Sequence, residues 1–276
     1  MSLACIAALS WRDMAPSCPS TNRAQRHSPY FRPPPSFLRP YLFRTPAILL
    51  AMLACSFLCA AAHAGAEPLT RAETLHIAEA YCNYTWQATA KNALQGRDID
   101  GVEVHTPNNT ATPDANAAPD PNLWTIGVTN TGMPYKWGGF DSLETFETGL
   151  KKGKAAGDIY SPEKRRLGGA AVSSNAVGID CSGFISRCWK LPTKQSTNSL
   201  PTICTKLSSP VELKPGDIMD GVGGHVILFA KWLDDQKSRA QFYESSPFSK
   251  VIASTYDISD LTLRGFLPFR YKSIRD

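Results

Sequence analysis

The stretch 178–189, GIDCSGFISRCW, fits a helix with a single apolar face. Asp180 stands just before the apolar residues, where its side chain can accept a hydrogen bond from a backbone N–H of the first turn. We therefore expect a core helix that begins at Cys181. The apolar residues follow the i, i+3, i+4, i+7, i+8 spacing of a buried helix stripe: Cys181, Phe184, Ile185, Cys188 and Trp189.

The N-terminal end of the chain has the pattern of a targeting segment. Residues 46–62 are apolar, arginines precede them, and 62–64 read Ala-His-Ala. This pattern predicts a secretory signal peptide that is cut after Ala64, and it places the mature protein in the periplasm or outside the cell. A membrane anchor is the alternative, but the run is shorter than the roughly 20 residues a spanning helix needs. A lipid-bearing Cys55 is a second alternative, which the residues before it disfavour.

Removing residues 1–64 changes the charge balance. The chain has 29 basic and 24 acidic residues, and the first 64 hold six of the former and one of the latter, which leaves 23 of each. A mature chain that is near neutral argues against nucleic-acid binding. We expect no stable membrane span in the mature form and a monomer.

The mature chain is long enough for one domain, and it is poor in cysteine. Four cysteines remain after cleavage, which is too few for a disulfide scaffold, and their pairing is open: Cys82, Cys181, Cys188 and Cys204. No C-x-x-C pair is present, so neither a metal nor another cofactor is expected.

The mature chain divides into an N-terminal region, 65–123, and a main region, 124–276. A capping box at 70–73 predicts a helix over about 71–93. Residues 104–122 are rich in Pro, Asn and Ala and are expected to form a loop. The main region opens with an insert, about 140–175, that contains a helix near 142–152 and a basic cluster at 164–166, interpreted as a solvated face.

Short apolar runs follow the helix that begins at Cys181. They lie around 217–219, at 225–232, at 241–246 and at 263–274, and turns separate them. Connections this short suit antiparallel strands rather than crossovers. Helices followed by an antiparallel sheet indicate an α+β domain.

The position of Cys181 suggests more than packing. A helix N-terminus offers unpaired N–H groups and a partial positive charge, both of which favour a thiolate. Ser182 and Gly183 are small and leave room for a substrate carbonyl, whose developing oxyanion the N–H groups could bind. The alternative is a plain core cysteine, because cysteine is among the most buried residue types.

A cysteine nucleophile needs a base, and the mature chain has three histidines. His76 lies within the predicted first helix and His105 lies in the loop-like tract. His225 follows a Gly-rich turn and opens the most apolar run of the mature chain, so a rigid strand would hold it. A strand-borne histidine that faces a helix-borne cysteine can take the thiol proton and return it to the leaving amine. The alternative for His225 is a hydrogen-bonded residue that closes the turn.

A third residue should orient the imidazole from the neighbouring strand. Period-two alternation in 241–246 places Phe242 and Glu244 on one face. Glu244 is therefore the best candidate acceptor, with Ser245 as its substitute. The alternative is a solvent-exposed Glu244 without a catalytic role.

Four motifs in this order resemble the NlpC-type cell-wall peptidases: YKWGG at 135–139, DCSGF at 180–184, PGDI at 215–218 and GGHVILF at 223–229. The closing FLPFRY at 266–271 is similar to the last strand of that family. The resemblance covers roughly 124–276. It implies a papain-like α+β fold with N-terminal helices packed on a small antiparallel sheet.

The resemblance also implies an activity and its residues. Members of the family are cysteine peptidases that cut amide bonds in peptidoglycan stem peptides, typically at a D-isoglutamyl bond to a diamino acid. Carried over by motif, Cys181 is the nucleophile and His225 the general base and acid. Tyr135 lines the site and helps to polarise the carbonyl. The residues expected at the substrate and oxyanion positions are Asp180, Ser182, Gly138 and Gly139.

Glu244 departs from the family, whose third polar residue is more often histidine, asparagine or glutamine. The chain also has an insert at 140–175 and no recognisable wall-binding module. Two alternatives therefore stay open. The first is a papain-like amidase or transacylase on another acyl substrate, including a toxin-like effector. The second is a wall-binding protein without activity.

Overall fold

A six-stranded sheet organises the C-terminal half of the chain in the computed structural model, which describes residues 69–109 and 118–276. We also expect the Pro- and Arg-rich residues 1–45 to be disordered; this expectation and the predicted signal peptide both lie outside the described residues. We number helices and strands in chain order. The sheet has the order β11-β10-β9-β8-β12-β7, and its hydrogen-bonded pairs are antiparallel.

The strands of the main sheet match the predicted runs and add two. The predicted runs at 217–219, 225–232, 241–246 and 263–274 correspond to β8, β9, β10 and β12. The additional strands are β7 and β11. The bounds are β7 Cys204–Lys206, β8 Ile218–Gly221, β9 His225–Trp232, β10 Arg239–Ser245, β11 Val251–Asp257 and β12 Leu267–Tyr271.

The first helix, α1, spans Arg71–Cys82. The predicted capping box is present, with Thr70 and Glu73 exchanging side-chain and backbone hydrogen bonds. The helix is shorter than the predicted 71–93. It ends at the C-cap Asn83, and the next residues form strand β1, Thr85–Gln87, whose β-branched and aromatic side chains favour an extended backbone.

Several short elements lie between α1 and the main sheet. Two of them are helices inside the expected insert, α2 over Leu143–Lys151 and α3 over Pro162–Leu167. The short strands form three two-stranded sheets: β1 with β4 (Thr129–Thr131), β2 (Gln95–Arg97) with β3 (Glu103–His105), and β5 (Ala155–Ala156) with β6 (Ala176–Val177). The range 104–122 is thus not all loop, because β3 and a bridge between Asn108 and Trp124 lie within it.

Helix α4, Cys181–Cys188, packs on β9 and on α1. Its predicted stripe is buried, and Phe184, Ile185 and Cys188 have no exposed surface. Asp180 is the N-cap, and its side chain accepts a hydrogen bond from the N–H of Gly183. The predicted start of this helix is therefore confirmed.

Two apolar cores cover the two faces of the main sheet. The larger core includes α1, α4 and the side chains of β9 that point towards them, such as Val226 and Leu228. The smaller core holds the alternating residues Ile227 and Phe229 together with α5, Ile258–Leu263. The N-terminal region and the main region thus share one core around α4.

The described residues form a mixed α/β protein that is compatible with the expected α+β class. The basic cluster at 164–166 is not simply a solvated face, because Lys164 is buried and pairs with Asp158 at 2.8 Å. Within the described part of the chain, no helix has both the length and the apolar character required to cross a bilayer.

Candidate active site

His225 is the first residue of β9, and the neighbouring strand β10 brings Glu244 against it. The Nε2 atom of the ring lies 2.6 Å from Oε2 of Glu244. The Glu244 carboxylate is 4% exposed, and its other oxygen accepts a hydrogen bond of 2.6 Å from the Tyr256 hydroxyl on β11. The alternation predicted for β10 is confirmed, since Phe242 and Glu244 are both buried.

The second ring nitrogen, Nδ1, is buried and makes no hydrogen bond of normal geometry among the described residues. Cys181 is nevertheless near enough to the ring to raise the pKa of His225. The imidazole thus contacts Glu244 through Nε2 and has Cys181 as a neighbour, with Nδ1 unpaired among the described residues.

The charges of this trio follow from their mutual contacts. Burial alone would lower the pKa of His225, but Cys181 and Glu244 raise it to about 10. Burial alone would raise the pKa of Glu244, but the hydrogen bond and charge of His225 lower it to about 2. At neutral pH the ring is thus a cation beside a carboxylate.

Backbone donors are available next to the sulfur. Asp180 satisfies the N–H of Gly183 at 2.7 Å. Among the described residues, the N–H groups of Cys181 and Ser182 have no hydrogen-bond acceptor. Unpaired N–H groups at a helix N-terminus can bind an anion, so these two groups remain the candidate oxyanion donors.

Asp180 and Ser182 also carry side-chain contacts that the sequence did not reveal. The Ser182 hydroxyl donates to Asp180 at 3.1 Å, and Lys194 approaches both residues. The Lys194 ammonium lies 2.9 Å from Oδ2 of Asp180. These side chains therefore brace the start of α4, and the charge of Asp180 is already compensated.

Tyr135 lies close to the nucleophile, as expected. It is 3% exposed and forms a bridge with Ile179, just before the N-cap of α4. Burial raises the pKa of its hydroxyl well above the usual range, and the nearby Cys181 and Asp180 add to that effect. The hydroxyl therefore stays protonated and keeps a proton that it can donate.

Gly138 and Gly139 support the site from behind. Gly138 has a φ of +70°, a conformation that favours glycine. The carbonyl oxygen of Gly139 accepts a hydrogen bond from the N–H of Asp180, and a Cβ at Gly183 would overlap that oxygen. The space beside Gly183 is therefore filled by the backbone of Gly139, whereas we expected it to receive a substrate carbonyl.

The other candidate residues lie elsewhere. Ser245 is fully buried and donates to the carbonyl of Ile179 at 2.7 Å, so its hydroxyl does not meet the imidazole. His76 is exposed on α1. His105 lies near Gln95 and Glu103 on the β2–β3 hairpin. Neither histidine competes with His225.

Three residues near the site were not predicted. Tyr256 reaches Glu244 from the next strand, β11, and Lys194 reaches Asp180 from the segment that follows α4, and no local pattern marks either residue. Asp220 on β8 is a different case, because a charge inside the strand IMDG is a visible signal. Asp220 is fully buried, and neither of its oxygens has a hydrogen-bond partner among the described residues.

Neither a disulfide nor a cluster of metal ligands occurs among the described residues. All four cysteines in this part of the protein are free. No group of three or more His, Cys, Asp or Glu side chains in the described ranges is arranged to hold a metal ion.

No protein-family model matches the chain, and a search of curated proteins found no match either.

Proposed function

We propose that the protein is an exported cysteine peptidase or amidase that uses Cys181 as nucleophile and His225 as proton carrier. The observation that supports this proposal best is the placement of one imidazole near a helix-borne thiol and 2.6 Å from a buried carboxylate. A cysteine, a base and an orienting acceptor are the parts that thiol-based acyl transfer requires.

The first half of the reaction forms a thioester. The Cys181 thiolate attacks the carbonyl carbon of the scissile amide, and the carbonyl oxygen takes the negative charge. The free N–H groups of Cys181 and Ser182 stabilise this oxyanion, with the Tyr135 hydroxyl as a further donor. The imidazolium then gives its Nδ1 proton to the leaving amine, and the carbon–nitrogen bond breaks.

The second half returns the enzyme to its starting state. The neutral imidazole takes a proton from water, and the hydroxide attacks the thioester carbon. The carbon–sulfur bond breaks, and the sulfur leaves as a thiolate. Glu244 keeps Nε2 hydrogen-bonded throughout, so that Nδ1 always faces the sulfur.

The substrate class follows from the motif resemblance. YKWGG, DCSGF, PGDI and GGHVILF are similar to NlpC-type peptidases, which makes peptidoglycan stem peptides the first substrates to test. Within that class, the D-isoglutamyl bond to a diamino acid is the proposed cleavage site. The papain-like fold of that family is part of the same proposal.

The proposal is tested by incubating the protein with purified muropeptides and reading the products by mass spectrometry. We expect two fragments whose masses add up to the stem peptide plus one water. Cys181→Ser should form neither fragment, whereas Cys82→Ser should cleave normally, because Cys82 is a free cysteine on α1 outside the site. Intact muropeptides after incubation with the wild-type protein would contradict the proposed substrate class.

A further inference from the structure

A basic groove lies outside the candidate active site, between the N-terminal region and the insert. Its volume is about 500 Å³. One wall comes from residues 91–99 and the other from residues 152–155 together with Asn175. The proposed hydrolysis uses no residue of this groove.

Specific hydrogen bonds build the groove. The side-chain amide of Asn92, which is 1% exposed, donates to the carbonyls of Leu150 and Lys154 at 3.1 and 2.9 Å. On the opposite side, Asp98 accepts hydrogen bonds from Ser173 and Asn175. Two regions that are distant in sequence are thus held at a fixed separation.

The groove carries an excess of positive charge. Its lining contains four basic side chains and one carboxylate, that of Asp98. Burial tends to raise the pKa of Asp98, but hydrogen bonds from Ser173 and neighbouring groups lower it. The groups that donate these hydrogen bonds to Asp98 are uncharged. The basic side chains are Lys91, Arg97, Lys152 and Lys154.

These cations are poorly neutralised within the protein. Arg97 has one ion pair, a long one of 3.8 Å to Glu103, and both side chains are exposed. Lys154 donates to the carbonyl of Ser174. Lys91 and Lys152 have no carboxylate within 4.0 Å among the described residues. The mature chain has equal numbers of acidic and basic residues, so the basic side chains of the groove are a local excess of positive charge. An anionic ligand would offset this charge.

We propose that the basic groove binds a peptide that carries several free carboxylates. The lining also includes the apolar residues Ala93, Leu94 and Ala155 together with Ile99, which is 91% exposed. Apolar side chains among cationic ones suit a peptide that combines acidic residues with small apolar residues. Lys152 follows the C-terminal end of α2, so the positive charge of the groove comes from side chains and not from a helix N-terminus.

The test measures binding without turnover. The full chain with Cys181→Ala is titrated against a fluorescein-labelled peptide of three Glu-Ala repeats, and anisotropy is recorded at low salt. Lys91→Gln combined with Lys152→Gln should raise the Kd by roughly fivefold or more. A single exposed ion pair is weak, but neither lysine is paired with a carboxylate among the described residues, so both are available to the peptide. Added salt should weaken binding of the parent protein, because exposed charges are screened.

Matched controls separate the groove from general charge. Lys206→Gln combined with Lys231→Gln removes two exposed lysines of the main sheet and should leave the Kd unchanged. A peptide of three Gln-Ala repeats should not bind. The proposal would be overturned by equal loss of binding in both double variants, or by equal binding of the Gln-Ala peptide. It would also be overturned if the protein bound polyphosphate but did not bind the Glu-Ala peptide. The proposal is independent of the proposed hydrolysis. In the double groove variant with an intact Cys181, that thiol should still be alkylated at the normal rate.

Discussion

At the scale of single residues, the candidate site depends on which charges are buried together. His225 keeps its charge in a buried position because the Glu244 carboxylate compensates it at 2.6 Å. Tyr256 holds the second oxygen of that carboxylate. A buried ion pair of this kind is costly to break, because the remaining charge loses its partner. We therefore propose that Glu244 is a positioning residue that acts through the imidazole.

Replacing Glu244 with Gln tests this role. The amide keeps a similar shape but removes the negative charge, so the ring should bind its second proton less tightly. We expect kcat on a cleaved substrate to fall on the order of tenfold to hundredfold, with a smaller change in KM. Ser245→Ala is the matched control, since Ser245 bonds to Ile179, and its kcat should stay near the wild-type value. Equal kcat in Glu244→Gln and wild type would remove Glu244 from the mechanism.

Asp220 makes a second prediction at this scale. Burial raises the pKa of Asp220 to about 7, and the charge of His225 offsets this only in part. An unfolded aspartate titrates near pH 3.9, so between about pH 4 and 7 the folded protein holds a proton that the unfolded chain has lost. The free energy of unfolding should therefore fall as pH rises through this window, by up to ~1.4 kcal/mol per pH unit.

Asp220→Asn removes this titration. At pH 4 the variant and the wild type should have similar melting temperatures, and at pH 8 the variant should be more stable by roughly 3 kcal/mol. Thermal unfolding from pH 4 to 8 measures the difference, and groups common to both proteins cancel. A stability difference that does not change with pH would show that Asp220 is ionised throughout.

The sequence predicted part of the residue scale and missed the rest for a physical reason. Cys181, His225 and Glu244 could be predicted because each lies at a helix start, a strand start or on a buried strand face. Lys194 and Tyr256 could not, because they contact the site only through the tertiary fold. Asp220 was visible as a charge within a strand, but its lack of partners is a property of the fold.

At the scale of elements, the start of α4 is fixed by close backbone packing. The first turn of α4 lies directly on the carbonyl of Gly139, and only glycine at position 183 permits that approach. The turn at Gly138–Gly139 and the helix N-terminus therefore form one unit, which sets the position of the sulfur and of the free N–H groups.

Gly183→Ala tests the importance of this packing. The added methyl group must displace either the helix start or the Gly139 turn, at a cost of about 1–3 kcal/mol in unfolding free energy. The rate of hydrolysis should fall by more than the loss of folded protein explains, because the sulfur of Cys181 moves. Gly169→Ala is the control, since a Cβ there meets no atom within 4 Å. Urea unfolding and the alkylation rate of Cys181 measure both effects, and unchanged values for Gly183→Ala would contradict the account.

Element prediction succeeded where the pattern was long and periodic. Strand β9 was predicted with its observed bounds, and α4 with its observed start. Strand β11 was missed because one of its faces is largely exposed, so its alternating sequence VIASTYD carries little hydrophobic contrast. Helix α1 was predicted too long, since the strand that follows it pairs with the distant β4.

At the scale of the whole molecule, the N-terminal region and the insert are tied to the site. Asp158 links them: its carboxylate accepts from the N–H of His105 and from Lys164, while its backbone N–H donates to the carbonyl of Tyr135. Both Asp158 and Lys164 are buried. No local pattern predicts this link, because the three partners of Asp158 lie far apart in the chain.

The central claim is that Cys181 and His225 form a thiolate–imidazolium pair in the folded protein. Iodoacetamide alkylation, with the modified residue identified by mass spectrometry, tests it most directly. We predict that at pH 6 Cys181 reacts much faster than Cys82, because the cationic His225 ring lies near Cys181, whereas burial raises the pKa of the Cys82 thiol. His225→Gln should abolish the reaction at pH 6. If Cys181 reacts at pH 6 no faster in the wild type than in His225→Gln, the pair does not exist and the proposed chemistry is wrong.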